Sequence, residues 1–369
     1  PHLQQAQEIA LPFSSNQLDT SITKNSFINP FIVRKIKEKI RYVRTQQFHY
    51  AGVYFRVSVY QKKQHQYPTI FQDIIQCIHL VSQLPIPRDP IQEIDIHLYM
   101  ISVPKKILRG KPLGKNTCNS GSTFFYIDPM MPRTISIWRH EEFRKVLLHE
   151  LIHAFSYDIK SGESCNESMN SLILQTLQLQ GSININEAYT EFLAMLVHVF
   201  FVISSCCQSE QLSRKKLIQY YYEFLTYELV YCMMTMIRIL QTFKIVSVQE
   251  FFLKPQTYNH LFVQDTSIFS YYFVKTYYLF LFLQRSSTDL FSTLLFQKQS
   301  LQVNCNELMT HIMKLWESES SPFLQCLVCI ENLLVSYQKT QSKSSKKTLK
   351  SLRMTLFETT LGAKKNITT

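Results

Sequence analysis

His149-Glu150-Leu151-Ile152-His153 lies within Arg139-His-Glu-Glu-Phe-Arg-Lys-Val-Leu-Leu-His-Glu-Leu-Ile-His-Ala-Phe-Ser-Tyr-Asp158, and its reading decides the fold. The longer stretch has no glycine or proline, and Phe143, Leu147, Leu148, Leu151, Ile152 and Phe155 recur at helical spacing, which predicts a mostly buried helix. On such a helix His149 and His153 are one turn apart on one face, at the separation a single zinc ion bridges, with Glu150 beside them. Two imidazoles to hold Zn²⁺ and a carboxylate to take a proton from water are the parts of metal-assisted hydrolysis. The same residues also suit a buried helix whose histidines only hydrogen-bond their neighbours. A third ligand separates the two readings.

Upstream, Thr134-Ile-Ser-Ile-Trp138 alternates as a strand, and Glu141 and Glu142 fall in the expected first turn, at the positive end of the helix dipole. Downstream, Asn186-Glu-Ala-Tyr-Thr-Glu191 opens a second long apolar helix, expected over 187–202 and ended by Cys206-Cys207. Glu187 and Glu191 share a face at its head. Two carboxylates there are costly to bury unless a positive charge lies opposite, and a metal ion supplies one. Asp158 is a second candidate for third ligand, but only five residues past His153 it is expected to cap or turn the chain. Glu187 is preferred.

HELIH followed by NEAYTE resembles the gluzincin metallopeptidases, in which a glutamate on a second helix completes the HExxH site; thermolysin-like enzymes carry a similar Asn-Glu-x-x-Ser-Asp. The resemblance covers about 149–158 and 186–191. It implies a zincin-like α+β fold, His149, His153 and Glu187 as zinc ligands, Glu150 as general base, and Glu191 as a carboxylate orienting a ligand histidine. The interval from His153 to Glu187 is longer than in thermolysin-like enzymes and holds the polar stretch 160–170, expected to be a loop. In its compact, tyrosine-rich, glycine-poor style the chain is also similar to metallopeptidases of large DNA viruses, which implies that it could be packaged in a virion.

Gluzincin-like chemistry also needs a donor for the scissile carbonyl, commonly a Tyr or His from a later helix. Tyr271, on a face shared with Lys275 and Tyr278, is the first choice, with His260 and His198 as rivals. The expected activity is zinc-dependent hydrolysis of a peptide or protein substrate. The alternative is a structural or assembly protein that keeps a zincin fold without turnover.

The remaining sequence sets the frame. In 369 residues, 46% hydrophobic, there is ample material for a core, and seven glycines without GxGxxG or GxxxxGK[ST] exclude the usual phosphate-cradling loops. Residues 34–44 carry six basic and one acidic residue and 336–369 carry eight and one, which accounts for the whole net charge of +12. The body is therefore formally neutral and no specific nucleic-acid partner is expected, although the tail can contact acidic partners. Residues 34–44 are predicted as a helix with Val33, Ile36, Ile40 and Val43 on its dry side.

Four segments are expected: a polar amino-terminal stretch 1–30, an α/β part 31–138, a helical zinc-binding part 139–335, and a basic solvated tail 336–369. The α/β part has strands at 53–60, 94–100 and 124–127 and a helix at 70–80. The zincin resemblance implies an edge strand above the cleft that receives the substrate, and polar residues 116–122 are the candidate rim; the same residues equally suit an ordinary polar turn around Gly121. Nine irregularly spaced cysteines point to reduced thiols, with Cys326-x-x-Cys329 as core. No charged start with an apolar centre opens the chain, and the apolar runs 192–203 and 277–283 are shorter than the roughly 20 residues of a spanning helix. An intracellular, cytoplasmic setting without secretion or a membrane span is expected.

Overall fold

The structure, a computed structural model, describes residues 9–14, 20–23, 25–26, 28–64, 66–85, 90–105, 113–125, 131–158, 164–207, 212–284, 316, 318–339 and 352–357. It is a mixed α+β protein with a strand-rich first half and a helical second half.

Among the described residues six strands form one sheet: β1 (Ile9–Pro12), β2 (Tyr42–Tyr50), β3 (Val53–Gln61), β4 (Glu93–Tyr99), β5 (Gly121–Phe124) and β6 (Arg133–Ile137), in the order β1-β2-β3-β4-β6-β5. β2 and β3 make an antiparallel hairpin whose two-residue turn holds Ala51 and Gly52 at φ 50° and 79°. Positive φ at both turn positions matches the right-handed twist of the strands. α3 (Ile70–Ser82) then carries the chain across to β4, which runs parallel to β3 and to β6. β5 returns antiparallel to β6 and forms one edge of the sheet.

Alternation along the strands divides two cores. Val53, Phe55, Val57 and Val59 of β3, Ile94, Ile96 and Leu98 of β4, and Ile135 and Ile137 of β6 face the main core. Tyr60, Tyr99 and Trp138 cover the other face with Ile32, Ile36 and Ile40 of the α2 segment, where α2 is Pro30–Lys39. The predicted basic helix at 34–44 therefore ends at Lys39, because residues 42–44 pair in β2. The polar segment 1–30 also contributes structure: β1 adds a strand to β2, a short helix α1 (Thr20–Thr23) follows, and Ile22 and Ile28 are buried under α2.

Between β4 and β5, α4 is one turn (Lys115–Cys118). The helical half contains α5 (Phe143–Ala154), α6 (Ser164–Thr176), α7 (Ile185–Cys206), α8 (Arg214–Thr242), α9 (Val248–Leu253), α10 (Pro255–Tyr258), a 3₁₀ turn (Asn259–Leu261), a π turn (Ser270–Val274), α11 (Lys275–Gln284) and α12 (Pro322–Lys339). One apolar core runs from the sheet through α3, α5 and α7 to α8 and α11, so the two halves share their interior.

Several expectations are corrected here. The stretch 160–170 was expected to be a loop, but 164–176 is α6, with 160–163 outside the described residues. The strand expected at 124–127 lies instead at 121–124, where Gly121, Ser122 and Thr123 pair with β6; residues 126 and 127 lie outside the described residues. Cys326 and Cys329 are exposed on α12, not core, because α12 packs through Phe323, Leu324 and Leu327. α7 has 22 residues, its most apolar 18-residue window has a mean hydropathy of 1.6, and it is long and apolar enough to cross a membrane, yet 78% of that window is buried inside the protein.

The tail departs most from expectation. Residues 340–351 and 358–369 lie outside the described residues, but Leu352, Met354 and Thr355 are buried. Two buried carboxylates hold them. Glu142 Oε1 accepts from the amides of Met354 at 2.6 Å and Thr355 at 2.9 Å, and the Glu228 carboxylate accepts from the amide of Leu356 at 2.9 Å and from the Thr355 hydroxyl.

Candidate metal centre

α5 sits directly after β6 and is buried nearly all round, against α3, β5, β6 and α7. It begins later than the sequence suggests. Glu141 accepts from the Lys105 amide at 2.6 Å, and Glu142 precedes the first turn in a left-handed conformation, φ 60°, so neither carboxylate serves the helix dipole as expected. At the other end the Arg133 guanidinium from β6 donates to the carbonyl of Ala154 and to the Ser156 hydroxyl at 2.7 Å, a cation placed on the last carbonyls. Ser156, at φ 55°, turns the chain, and the Tyr157 amide closes back onto the Ile152 carbonyl at 3.0 Å. That turn brings Asp158 beneath His153.

α7 delivers the acids. Asn184 caps it, accepting from the Asn186 amide at 3.1 Å, and Glu187 follows in the first turn. His149 Nε2, His153 Nε2 and Glu187 Oε2 then form a triangle with sides of 3.0, 3.3 and 3.6 Å. This group could hold a metal ion. A tetrahedral ion with bonds of about 2.0–2.2 Å sets its ligand atoms about 3.3–3.6 Å apart, which the two sides to Glu187 match, while the 3.0 Å side between the imidazoles is shorter.

Behind each imidazole stands a carboxylate. Asp158 Oδ2 lies 2.8 Å from His153 Nδ1 and also accepts from Asn186 Nδ2 at 3.3 Å, while Glu191 Oε1 lies 3.7 Å from His149 Nδ1. Asp158 thus orients a histidine from below and does not merely cap the helix. Its distance of five residues from His153 was visible in the sequence, but the turn at Ser156 that makes the contact was not.

Glu150 faces the edge strand. The Thr123 hydroxyl on β5 donates to Glu150 Oε2 at 2.8 Å, and a Cβ at Gly121 would come within 2.6 Å of Glu150 Oε1, so only glycine lets the strand approach this closely. Gly121, which the sequence placed only on a polar rim, and Thr123, which it did not single out, both stand against Glu150. Tyr271 comes from the π turn, a one-residue expansion of a helix that often marks functional positions, and it lines the cleft near Glu187. Neither rival is close: His198 is buried beside Thr355 and His260 is exposed on the 3₁₀ turn. A cleft of about 480 Å³ opens over the group, bounded by β5, the head of α7, Ser267, Tyr271 and Met354.

The protonation states follow from burial and charge. Burial pushes the Glu150 carboxyl up to about 7 against the opposing pull of His153 and Thr123. It pushes His149 down to about 4, despite its bond to Glu187, leaving a neutral imidazole with a lone pair to donate. For His153 burial acts in the same downward sense, but the charge of Glu187 and the bonds to Asp158 and Glu187 outweigh it and raise the imidazole well above 6.5. Burial would raise Glu187 too, but the two histidines hold it well below 4.5. Burial, with Glu187 and Glu150 nearby, keeps the Tyr271 phenol protonated far into the alkaline range.

Comparison with protein-family models, with curated proteins and with solved structures found no match to this chain, so the functional argument rests on the site itself.

Proposed function

We propose that the protein is a zinc-dependent peptide-bond hydrolase of gluzincin type on a zincin-like fold. The observation that carries this is the convergence of His149, His153 and Glu187 in a tight triangle beside Glu150, at the floor of an open cleft. Two imidazoles and one carboxylate are a donor set suited to catalytic zinc, which usually leaves a fourth position open. Zinc bound there would make a water molecule acidic near neutral pH and polarise a peptide carbonyl.

The chain's own residues do the rest. Glu150, titrating near 7, takes the proton from water and delivers it to the departing amine. Tyr271, which lines the cleft and keeps its phenol protonated, donates to the oxygen of the attacked carbonyl. β5, whose outer edge pairs with no other strand among the described residues, receives the substrate backbone as a further strand, and the small residues Gly121 and Ser122 leave room for it. Asp158 and Glu191 keep the two imidazoles turned with Nε2 toward the ligand triangle.

Metal analysis combined with a peptide-library cleavage assay tests this. Glu150→Gln is expected to retain metal and lose turnover by about 10²–10⁴-fold, and Glu187→Ala to lose the metal. Full activity in Glu150→Gln refutes the mechanism. Tight metal binding with no cleavage of any peptide would instead favour a structural role in which the ion fastens α5 to α7.

A further inference from the structure

Two carboxylates, Glu187 and Glu191, stand one turn apart on the same face of α7, and both approach the histidines of α5. Only Glu187 contributes to the ligand triangle. Glu191 is turned instead to the far side of the His149 ring, toward Nδ1, and it has a basic neighbour of its own. Lys145, on α5 one turn before His149, is wholly buried, and its Nζ contacts Glu191 Oε2 directly. The same Nζ donates to Met354 Sδ at 3.6 Å, so the lysine is held from the tail segment as well.

The other oxygen of Glu191 faces His149 Nδ1, the ring nitrogen turned away from the triangle. His149 Nδ1 is buried, and among the described residues no acceptor lies within hydrogen-bond range of it, Glu191 Oε1 standing 3.7 Å away. Glu191 is thus gripped between an amine on one oxygen and the back of a ligand imidazole near the other. The second histidine is served differently, since the acid behind His153, Asp158, is held by the neutral amide of Asn186.

We infer that Lys145 is a positioning residue that fixes Glu191 behind His149 and so keeps this carboxylate out of the coordination shell of the ion. This rests on His149, His153 and Glu187 being the ligands. A buried carboxylate released from its cation is a strong donor for a dication, and it would fill the position that water or substrate needs. Lys145 therefore does two things through Glu191: it sets the orientation of the His149 ring and holds the ion at three protein ligands.

Cobalt(II) tests this without requiring turnover, because four-coordinate cobalt absorbs visible light much more strongly than five- or six-coordinate cobalt. Cobalt-loaded wild type is expected to give the strong four-coordinate band. Lys145→Met, close in size but unable to grip the acid, is expected to bind cobalt with a weakened band. Lys145→Met combined with Glu191→Gln is expected to recover the wild-type band, and Lys145→Arg to keep it. A Lys145→Met spectrum that superposes on wild type overturns the inference, as does a weakened band that persists in the double variant, since that would reflect general repacking. If Lys145→Met does not fold, Glu191→Gln decides by cobalt affinity: a loss of about tenfold or more is expected on removing the acid behind a ligand histidine, and unchanged affinity overturns the inference. Cobalt bound as expected with no peptide cleavage sinks the hydrolase reading and leaves this inference standing. Wild type that binds no cobalt sinks both.

Discussion

Glu142→Ala is expected to be among the most destabilising single substitutions outside the metal centre. Glu142 is buried, pairs with Lys105 Nζ at 3.1 Å, and accepts the amides of Met354 and Thr355. Removing one partner of a buried ion pair costs about 3–5 kcal/mol, and each buried donor left without an acceptor costs about 1–3 kcal/mol. The three contacts share one carboxylate and do not add fully, so the expected loss is about 5 kcal/mol. With an unfolding entropy of about 2.1 cal/mol/K per residue, a 369-residue chain should melt roughly 6 °C lower. Glu142→Gly should lose about 1 kcal/mol less than Glu142→Ala, because position 142 sits at φ 60°.

The sign with pH follows from the folded-state carboxyl. Burial alone would raise it, but Lys105 and Lys145 outweigh burial and hold it below 4.5. Its stabilisation is therefore complete above the unfolded value and is lost as pH falls through the folded one, so wild type and variant should converge in acid. Thermal melts of wild type, Glu142→Ala and Glu142→Gly at neutral and acid pH measure this. A Glu142→Ala midpoint within about 1 °C of wild type would refute the assignment of Glu142 as the anchor of residues 354 and 355.

Gly121→Ala should lower kcat/KM roughly a hundredfold with metal content unchanged, since the added Cβ meets Glu150 Oε1 at 2.6 Å and Val146 Cγ1 at 2.8 Å and must displace the base; metal analysis beside the peptide assay separates the two effects. Tyr271→Phe should cost about 10²–10³ in kcat while leaving zinc affinity intact, and an unchanged kcat would remove Tyr271 from the mechanism. Zinc binding near neutral pH should release about one proton, because His153 is protonated in the metal-free protein. The proton on His153 stabilises the metal-free fold below 6.5 and that contribution fades as pH rises through its raised folded value, so zinc affinity should climb over the same range. Calorimetry in buffers of different ionisation enthalpy reads that proton, and zero release contradicts the assignment.

What the sequence determined by itself is local. An unbroken helical period from Phe143 onward puts His149, Glu150 and His153 on adjoining positions of one helix whatever surrounds it, and the apolar run after Asn184 does the same for Glu187 and Glu191. Strands β3, β4 and β6 were legible for a similar reason, since the apolar residues that face the main core, Val53, Phe55, Val57 and Val59, Ile94, Ile96 and Leu98, and Ile135 and Ile137, recur with period two. Where local patterning was weak, tertiary pairing decided. Gly121-Ser-Thr123 carries no strand signature and becomes β5 only because β6 offers it partners, and 164–176 becomes helical within a polar stretch.

The roles of individual charges depended on the fold most of all. No periodicity connects Asp158 to His153 across the Ser156 turn, Thr123 to Glu150, or Lys145 to Glu191 on a different helix. Nor could composition reveal that part of a basic tail would be drawn into the interior by two buried carboxylates. Helix geometry acts over a few residues and can be read along the chain. The burial that gives a carboxylate its partner, its protonation state and its task exists only once distant segments have packed together.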